Sequence, residues 1–379
     1  MLGGDGVAAL RPPSSRRGLS AVDATDLAIY PRAVEGSTAD VPAGTPDARR
    51  DDGITAVSSV AYGFMGSQAL FAALEIGLFT ELAAGPETLG ALASRLGIEP
   101  RPLRALLEAC VATELLMRDG DRYRNSAGAE RYLVRHARGY VGDYYLRQIA
   151  VTLYPQIPAA RAALRGAAVG ATYARFLEDP ARAEEFIRGQ HAGSSGPAYL
   201  LARNLDAAPY TSLLDLGGGS GAFSIEMVRR HRLSAIVVDH PSVAAVARKI
   251  VAEAGLADRI RCVEGDVVAG AWPPGADLIL LSYVISSYGP SILKDLMAKA
   301  RAYLPSGGGL IVHDFALHGD RPGPRNAALW YFANLAISAS THPHAVDDVT
   351  RAMSEAGFVE VTARPHVPDI TFAFTGRRR

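Results

Sequence analysis

The stretch Ser212–Phe223, SLLDLGGGSGAF, gathers the residue types with the most chemical use in this chain. A short apolar run ends on Asp215, and Gly217, Gly218, Gly219 and Gly221 follow it. Glycines there let the backbone turn with positive φ and approach a ligand closely. The amphipathic run FSIEMVRR begins directly after, so the pattern is strand, glycine turn, helix. N–H groups at the start of that helix would face a carboxylate or phosphate. Two more acids stand at the ends of later apolar runs: Asp239 closes AIVVD, and Asp266 lies in VEGDV. An acid about 20 residues past a glycine turn suits the hydroxyls of a ribose. These positions imply a nucleotide-like cofactor over the carboxyl end of the strand.

Gly217, Gly219 and Ala222 also fit the loose dinucleotide pattern. On the glycines and Asp239 alone, NAD and S-adenosylmethionine (SAM) are not separated. Asp215 favours SAM, because an acid beside the turn would meet the ammonium of a methionine and repel a pyrophosphate. Asp266 favours it again. DLGGGSG, VVD and EGD, in that order, resemble the successive motifs of class I SAM-dependent methyltransferases. The resemblance implies Asp215, Gly217 and Gly219 at the methionine end. It puts Asp239 on the ribose, and Asp266 at the adenine amino group with Val267 against the ring. Ser282, closing ADLILLS, is counted with the cofactor-binding residues.

The elements that must position these residues are read from the whole chain. Its 379 residues allow about two domains. Formal net charge is zero and 21% of residues are charged, which gives no reason to expect nucleic acid or an anionic membrane as partner. Unbroken apolar runs fall short of the roughly 20 residues that span a bilayer. The two cysteines, Cys110 and Cys262, are far apart and imply neither a metal cluster nor a disulfide framework. Residues 1–52 are rich in proline, glycine, serine and charge, and read as a disordered tail with neither a secretory nor a transit signal. A cytoplasmic location is expected.

Residues 53–138 read as a winged-helix module. AYGFMGSQALFAALEIGLFTEL sets Phe64, Ala69, Ala72, Ile76 and Phe79 near one helical face. Thr88 would cap a short helix that Gly97 ends, and Leu103–Thr113 would be the next. LLMRDGDRYRN is a hairpin turning at Asp119–Gly120. Arg101 and Arg104 on the second helix are offset by Glu108 and Glu114, a poor surface for phosphates. The layout resembles the dimerisation domain of small-molecule O-methyltransferases, which implies a homodimer with its seam along Val60–Leu82. Residues 139–208 resemble that family's helical linker and substrate lid. Tyr144, Tyr145, Tyr154, Tyr173 and Phe176 are candidates for an aromatic wall there, with Gln190 and His191 beside the cofactor.

Residues 209–379 carry seven predicted strands: LLDL, AIVVD, RIRCVEG, ADLILLS, GLIVHDF, VEVTAR and ITFAFTG. Helices are expected between the first six. The last two are joined too tightly for a crossover helix and must pair antiparallel. The fold class is therefore α/β, a Rossmann-like seven-stranded sheet with an N-terminal all-helical winged-helix dimerisation domain.

The resemblance, which covers Ile54 to Phe374, breaks after the fourth strand. The family carries V-L-H-D-W there, its histidine taking the proton of a phenol. This chain has Ser286 at the histidine position, within Tyr283–Gly289, YVISSYG. Serine is no base near neutral pH without a base of its own. One reading is methylation of ring carbon, slightly favoured. Another is O-methylation with a different base, from His313, His342, His344, Tyr283 or Tyr288. A third keeps SAM without methyl transfer, as a hydroxylase or pericyclase, and a SAM-sensing winged-helix regulator is a further alternative. Tyr288, Trp330, Tyr331 and Asn334, with Tyr145 and Gln190, are the candidate contacts to a small aromatic substrate in natural-product biosynthesis. No metal ligands are expected.

Overall fold

The computed structural model describes residues 53–166, 179–338 and 340–379. The expected tail, residues 1–52, and two members of the aromatic wall, Tyr173 and Phe176, lie outside the described residues. The chain divides after Ser58, and residues 59–379 make one compact unit.

The first helix, Ile54–Glu75, ends where Gly77 takes φ 72°, and a separate helix, Leu78–Leu82, follows. The single apolar face expected through Phe79 is therefore broken at Gly77. Phe71, Leu74, Leu78, Phe79 and Leu82 are buried, and the last four pack with Leu92, Leu103 and Leu107 in the domain's own core. Val60, Tyr62, Phe64 and Met65 are exposed instead. The apolar surface free for a partner is thus the earlier part of the expected seam, not all of it. By length and composition alone, Ile54–Glu75 is long and apolar enough to cross a membrane, with a mean hydropathy of 1.3. A search for unbroken apolar runs passes over it, because Ser, Gly and Gln interrupt it.

Thr88 caps the helix Leu89–Leu96 through its Oγ1, which accepts from the Ala91 N–H at 3.3 Å, and Gly97 closes it at φ 65°. The helix Pro100–Ala112 follows. Strands β1 (Glu87–Thr88), β2 (Leu116–Asp119) and β3 (Arg122–Asn125) pair in the order β1-β3-β2. The amino-terminal domain is therefore not all-helical, since its wing is a three-stranded sheet. In the linker, Tyr145–Leu153 is a π-helix, and Asp179 caps the long helix Pro180–Asn204 by accepting from the N–H groups of Ala181 and Arg182.

The large sheet comprises β4 (Ser212–Leu216), β5 (Ser234–Asp239), β6 (Ile260–Glu264), β7 (Leu278–Ser282), β8 (Gly309–Phe315), β9 (Phe358–Pro365) and β10 (Thr371–Arg378). Their order is β6-β5-β4-β7-β8-β10-β9. The first five are parallel, and β10 runs antiparallel between β8 and β9, as the short loop before it requires. Every residue of β7 and β8 is buried, the pattern of strands covered on both faces. The reversal between β4 and β5 on one side and β7 on the other opens a crevice at the carboxyl ends, where such sheets bind ligands.

One expected helix is missing. Between β6 and β7, residues 265–277 form turns and loop. Lys299 organises them, its Nζ donating to the carbonyls of Val267, Val268 and Gly270 at 3.3, 3.0 and 2.7 Å.

Candidate active site

The glycine turn forms the floor of the crevice. Gly217, Gly219 and Gly221 adopt φ of 68°, 56° and 76°, where a side chain would be strained. The helix Ala222–Arg230 starts directly after. A Cβ on Gly217 would meet Val284 Cγ2 at 2.8 Å, so the segment leaving β7 lies against the turn. Val267 flanks the same glycine, where an adenine ring is expected to rest.

Asp215 is fully buried below this turn. Its Oδ2 accepts from the Ser224 hydroxyl at 2.7 Å, while Oδ1 has no protein donor. Burial pushes its pKa up to about 7, against the Ser224 hydrogen bond and with the nearby charge of Asp239 adding to the rise. A buried carboxylate oxygen without a donor fits the ammonium of SAM. Asp239 sits at the end of β5 with Oδ2 on the Gly219 N–H at 2.8 Å and Oδ1 on the His240 N–H at 2.7 Å. A carboxylate offers about four acceptor sites. Two remain, which matches the two hydroxyls of a ribose.

Asp266 is exposed, and its Oδ1 accepts from the N–H groups of Val268 and Ala269 at 2.7 and 2.9 Å. It therefore builds its own turn, and these bonds hold its carboxyl below the ordinary value. Tyr288, expected at the substrate, stands near Asp266 and Asp239. Burial raises its phenol pKa first, and the charges of Asp266 and Asp239 raise it further. Gln190 comes close to the turn as well, its Oε1 3.9 Å from where a Cβ on Gly219 would stand. Next to it, His191 Nδ1 and Ser220 Oγ are 3.0 Å apart, tying the long linker helix to the turn.

Several other expectations are corrected by hydrogen bonding. Ser282 is buried, and its hydroxyl is engaged by His313 Nδ1 at 2.9 Å. His313 Nε2 pairs with Thr371 Oγ1 at 2.9 Å. With both nitrogens engaged and burial holding its pKa well below the ordinary value, His313 joins three strands and is not available as a base. Tyr331 is buried, and its hydroxyl donates to the Phe315 carbonyl at 2.8 Å. Its polar end thus fastens the helix Arg325–Asn334 to β8 instead of reaching a substrate. Tyr145 packs against the amino-terminal core, and Tyr154 meets Phe71 edge-on at 6.0 Å. Asn334 is half-buried, and it is its backbone carbonyl, not its side chain, that takes the N–H groups of Ile337 and Ser338.

What remains around the exit of β7 is aromatic. Tyr283 adopts φ 58°, an uncommon conformation for a bulky residue and one that marks functional sites. Its ring lies 5.2 Å from Phe315, which stacks on Trp330 at 5.0 Å and 19°. Burial raises the Tyr283 phenol far above its ordinary value, which makes it a poor proton acceptor.

Ser286 is buried in the short 3-10 turn Ile285–Ser287, and its N–H donates to Asp314 Oδ2 at 3.1 Å. Asp314 Oδ1 takes the Phe315 N–H at 2.8 Å. Burial raises the Asp314 pKa to about 6, opposed by hydrogen bonds from the Ser286 side chain and N–H, from Phe315 and from Ile285. The sequence reading missed this acid. Its one signal was position: it directly follows His313, so on a strand it faces the opposite side of the sheet. Replacing Asp314 with alanine leaves at least the Ser286 and Phe315 N–H groups buried without that acceptor, at about 1–3 kcal/mol each. The expected loss is about 2–6 kcal/mol in denaturant unfolding; an unchanged midpoint would mean that the turn holds itself. Among the described residues, no three His, Cys, Asp or Glu side chains gather as a metal site.

Residues 158–359 match the model of the O-methyltransferase domain, and residues 58–135 that of the O-methyltransferase dimerisation domain. The chain is similar to the 3-hydroxy-5-methyl-1-naphthoate 3-O-methyltransferase of Streptomyces sahachiroi, 35% identical over 312 residues, which take in 81% of this chain and 90% of that protein. It is 33% identical over 305 residues to the tetracenomycin polyketide synthesis 8-O-methyl transferase of Streptomyces glaucescens, covering 79% of this chain and 89% of that one. In structure it is similar to human N-acetylserotonin methyltransferase in complex with SAM, with a TM-score of 0.73 at 23% identity over 87% of this chain and 99% of that one, a likeness of fold. On this sheet, this amino-terminal domain and these similarities, the chain belongs to the O-methyltransferase family and is a SAM-dependent methyltransferase.

Proposed function

We propose that the protein transfers the SAM methyl group to an oxygen of a flat aromatic molecule made in natural-product biosynthesis, and that it works as a homodimer. The observation that carries the reading is the aromatic group of Tyr283, Phe315 and Trp330 where β7 and β8 leave the sheet beside the cofactor turn. Phe315 is buried, and the half-buried rings of Tyr283 and Trp330 packed on it are the faces on which a flat ring would stack. Support for oxygen comes from the two Streptomyces relatives, whose names specify O-methylation of a naphthoate and of a polyketide product. The sequence alone leaned slightly to ring carbon because of Ser286, and that reading now has the weaker support. The exposed Val60, Tyr62, Phe64 and Met65 within the dimerisation domain support the homodimer.

SAM, when bound, would supply the methyl group on a sulfonium, which leaves as a neutral thioether. Asp215 would hold its ammonium, Asp239 its ribose, and Val267 its adenine. The protein's further work is to align sulfur, methyl carbon and acceptor oxygen and to keep water out. The test uses SAM labelled on its methyl group, with naphthols, naphthoates and other phenols as acceptors, and finds the label by NMR. Label on oxygen is expected; label on ring carbon would overturn the choice of atom.

A further inference from the structure

A neutral phenol that attacks a methyl carbon must release its proton, and a nearby imidazole is the side chain best suited to take it near neutral pH. Of the nine histidines, His191, His231, His240, His313, His344 and His366 each have a ring nitrogen paired with a carbonyl or hydroxyl. Of the other three, His136 is exposed in the amino-terminal domain, and His318 packs edge-on against Phe372 of β10. His342 differs from both. Its backbone N–H donates to the Ser286 carbonyl at 3.1 Å, which fixes it to the turn leaving β7 beside the cofactor. Its ring is half-buried, and among the described residues neither ring nitrogen has a hydrogen-bond partner.

From this geometry we infer that His342 is the general base of the methyl transfer, receiving the proton of the acceptor hydroxyl. The inference rests on the reading that oxygen is the acceptor. As the oxygen lone pair forms the bond to the methyl carbon, the carbon–sulfur bond breaks and its electrons stay on sulfur. The hydroxyl proton passes to the ring nitrogen of His342 and later to water.

His344 makes the arrangement selective. It is buried, and its Nε2 lies 3.2 and 2.8 Å from the carbonyls of Ile285 and Tyr288. Only an N–H can face two carbonyls, so this nitrogen is the donor. His344 therefore props the turn that holds Ser286, and its ring stands 4.8 Å from that of His342. The ionisable groups around this loop are His344 itself, Asp314 below Ser286 on β8, Tyr331 on the adjacent helix, and Asp348 at the start of the next. Burial raises the Asp314 pKa to about 6 and holds that of His344 below its ordinary value.

The experiment compares wild type with His342→Gln on two phenols across pH 6–9: one with a pKa near 10, and a nitro-substituted one already ionised. On the first, kcat is expected to fall about 10²–10⁴-fold in the variant. KM for the phenol and Kd for SAM should stay within about twofold. On the ionised phenol the loss should shrink to about threefold or less, because no proton remains to be taken. His342→Ala serves as a second variant, and added imidazole should restore part of its turnover of the first phenol. Equal losses on both phenols, or no loss, would overturn the assignment while leaving O-methylation in place. If wild type places its label on carbon, the assignment and the reading beneath it fall together.

Discussion

Asp239→Ala is expected to weaken SAM binding by about tenfold to a hundredfold or more. Hydrogen bonds to a charged acceptor contribute about 1.5–3 kcal/mol each, and about 1.4 kcal/mol is a factor of ten. Two effects act together in this variant. The ribose hydroxyls lose their acceptor, and the Gly219 N–H loses the Oδ2 that anchors the glycine turn at 2.8 Å. Asp239→Asn separates them, because its amide oxygen can still accept from Gly219 while the charge is gone. Calorimetric titration with SAM should therefore rank wild type, Asn and Ala in order of falling affinity. Equal affinities across the three would remove Asp239 from the cofactor site.

The strand, glycine turn and helix were readable because all of their determinants are local. An apolar strand, four glycines and an amphipathic helix follow one another directly, and Asp239 ends the next strand. The antiparallel close of the sheet was readable for a similar reason, since the loop between β9 and β10 leaves no length for a crossover. Other misreadings also had local signals. Gly77 announced the break between the first two helices, and Pro273, Pro274 and Gly275 argued against a helix before β7. The bonds across the sheet were not readable. Ser282, His313 and Thr371 meet only because β7, β8 and β10 lie side by side, and no one-dimensional pattern shows which hydroxyls will take the two ring nitrogens. The same holds for Tyr331, whose helical position pointed to the crevice while its hydroxyl reaches the Phe315 carbonyl. His342 stayed one of several histidines until its backbone was seen on Ser286.

SAM affinity is expected to climb with pH between 5 and 7, by about tenfold per unit at the acid end, and to level off above that range. The cause is Asp215. Burial raises its pKa from an ordinary value of 3.8 to about 7, so the free protein holds this proton over most of the interval. The SAM ammonium favours the carboxylate, and binding must therefore expel the proton. The same shift acts on stability with the opposite sign. An acid whose folded pKa lies above its unfolded value binds more protons when folded, so its contribution is complete below about pH 3.8 and fades as pH rises through about 7. The free protein should thus lose stability over the range in which it gains affinity, and SAM should restore part of the loss. Asp314, raised to about 6, adds to the loss of stability but lies under Ser286 and should leave SAM affinity largely unaltered. Calorimetric titrations in two buffers of different ionisation enthalpy count the protons released. In Asp215→Asn the pH slope should flatten and the proton release should fall toward zero. A slope that persists in this variant would assign the titration to another group and take the ammonium contact away from Asp215.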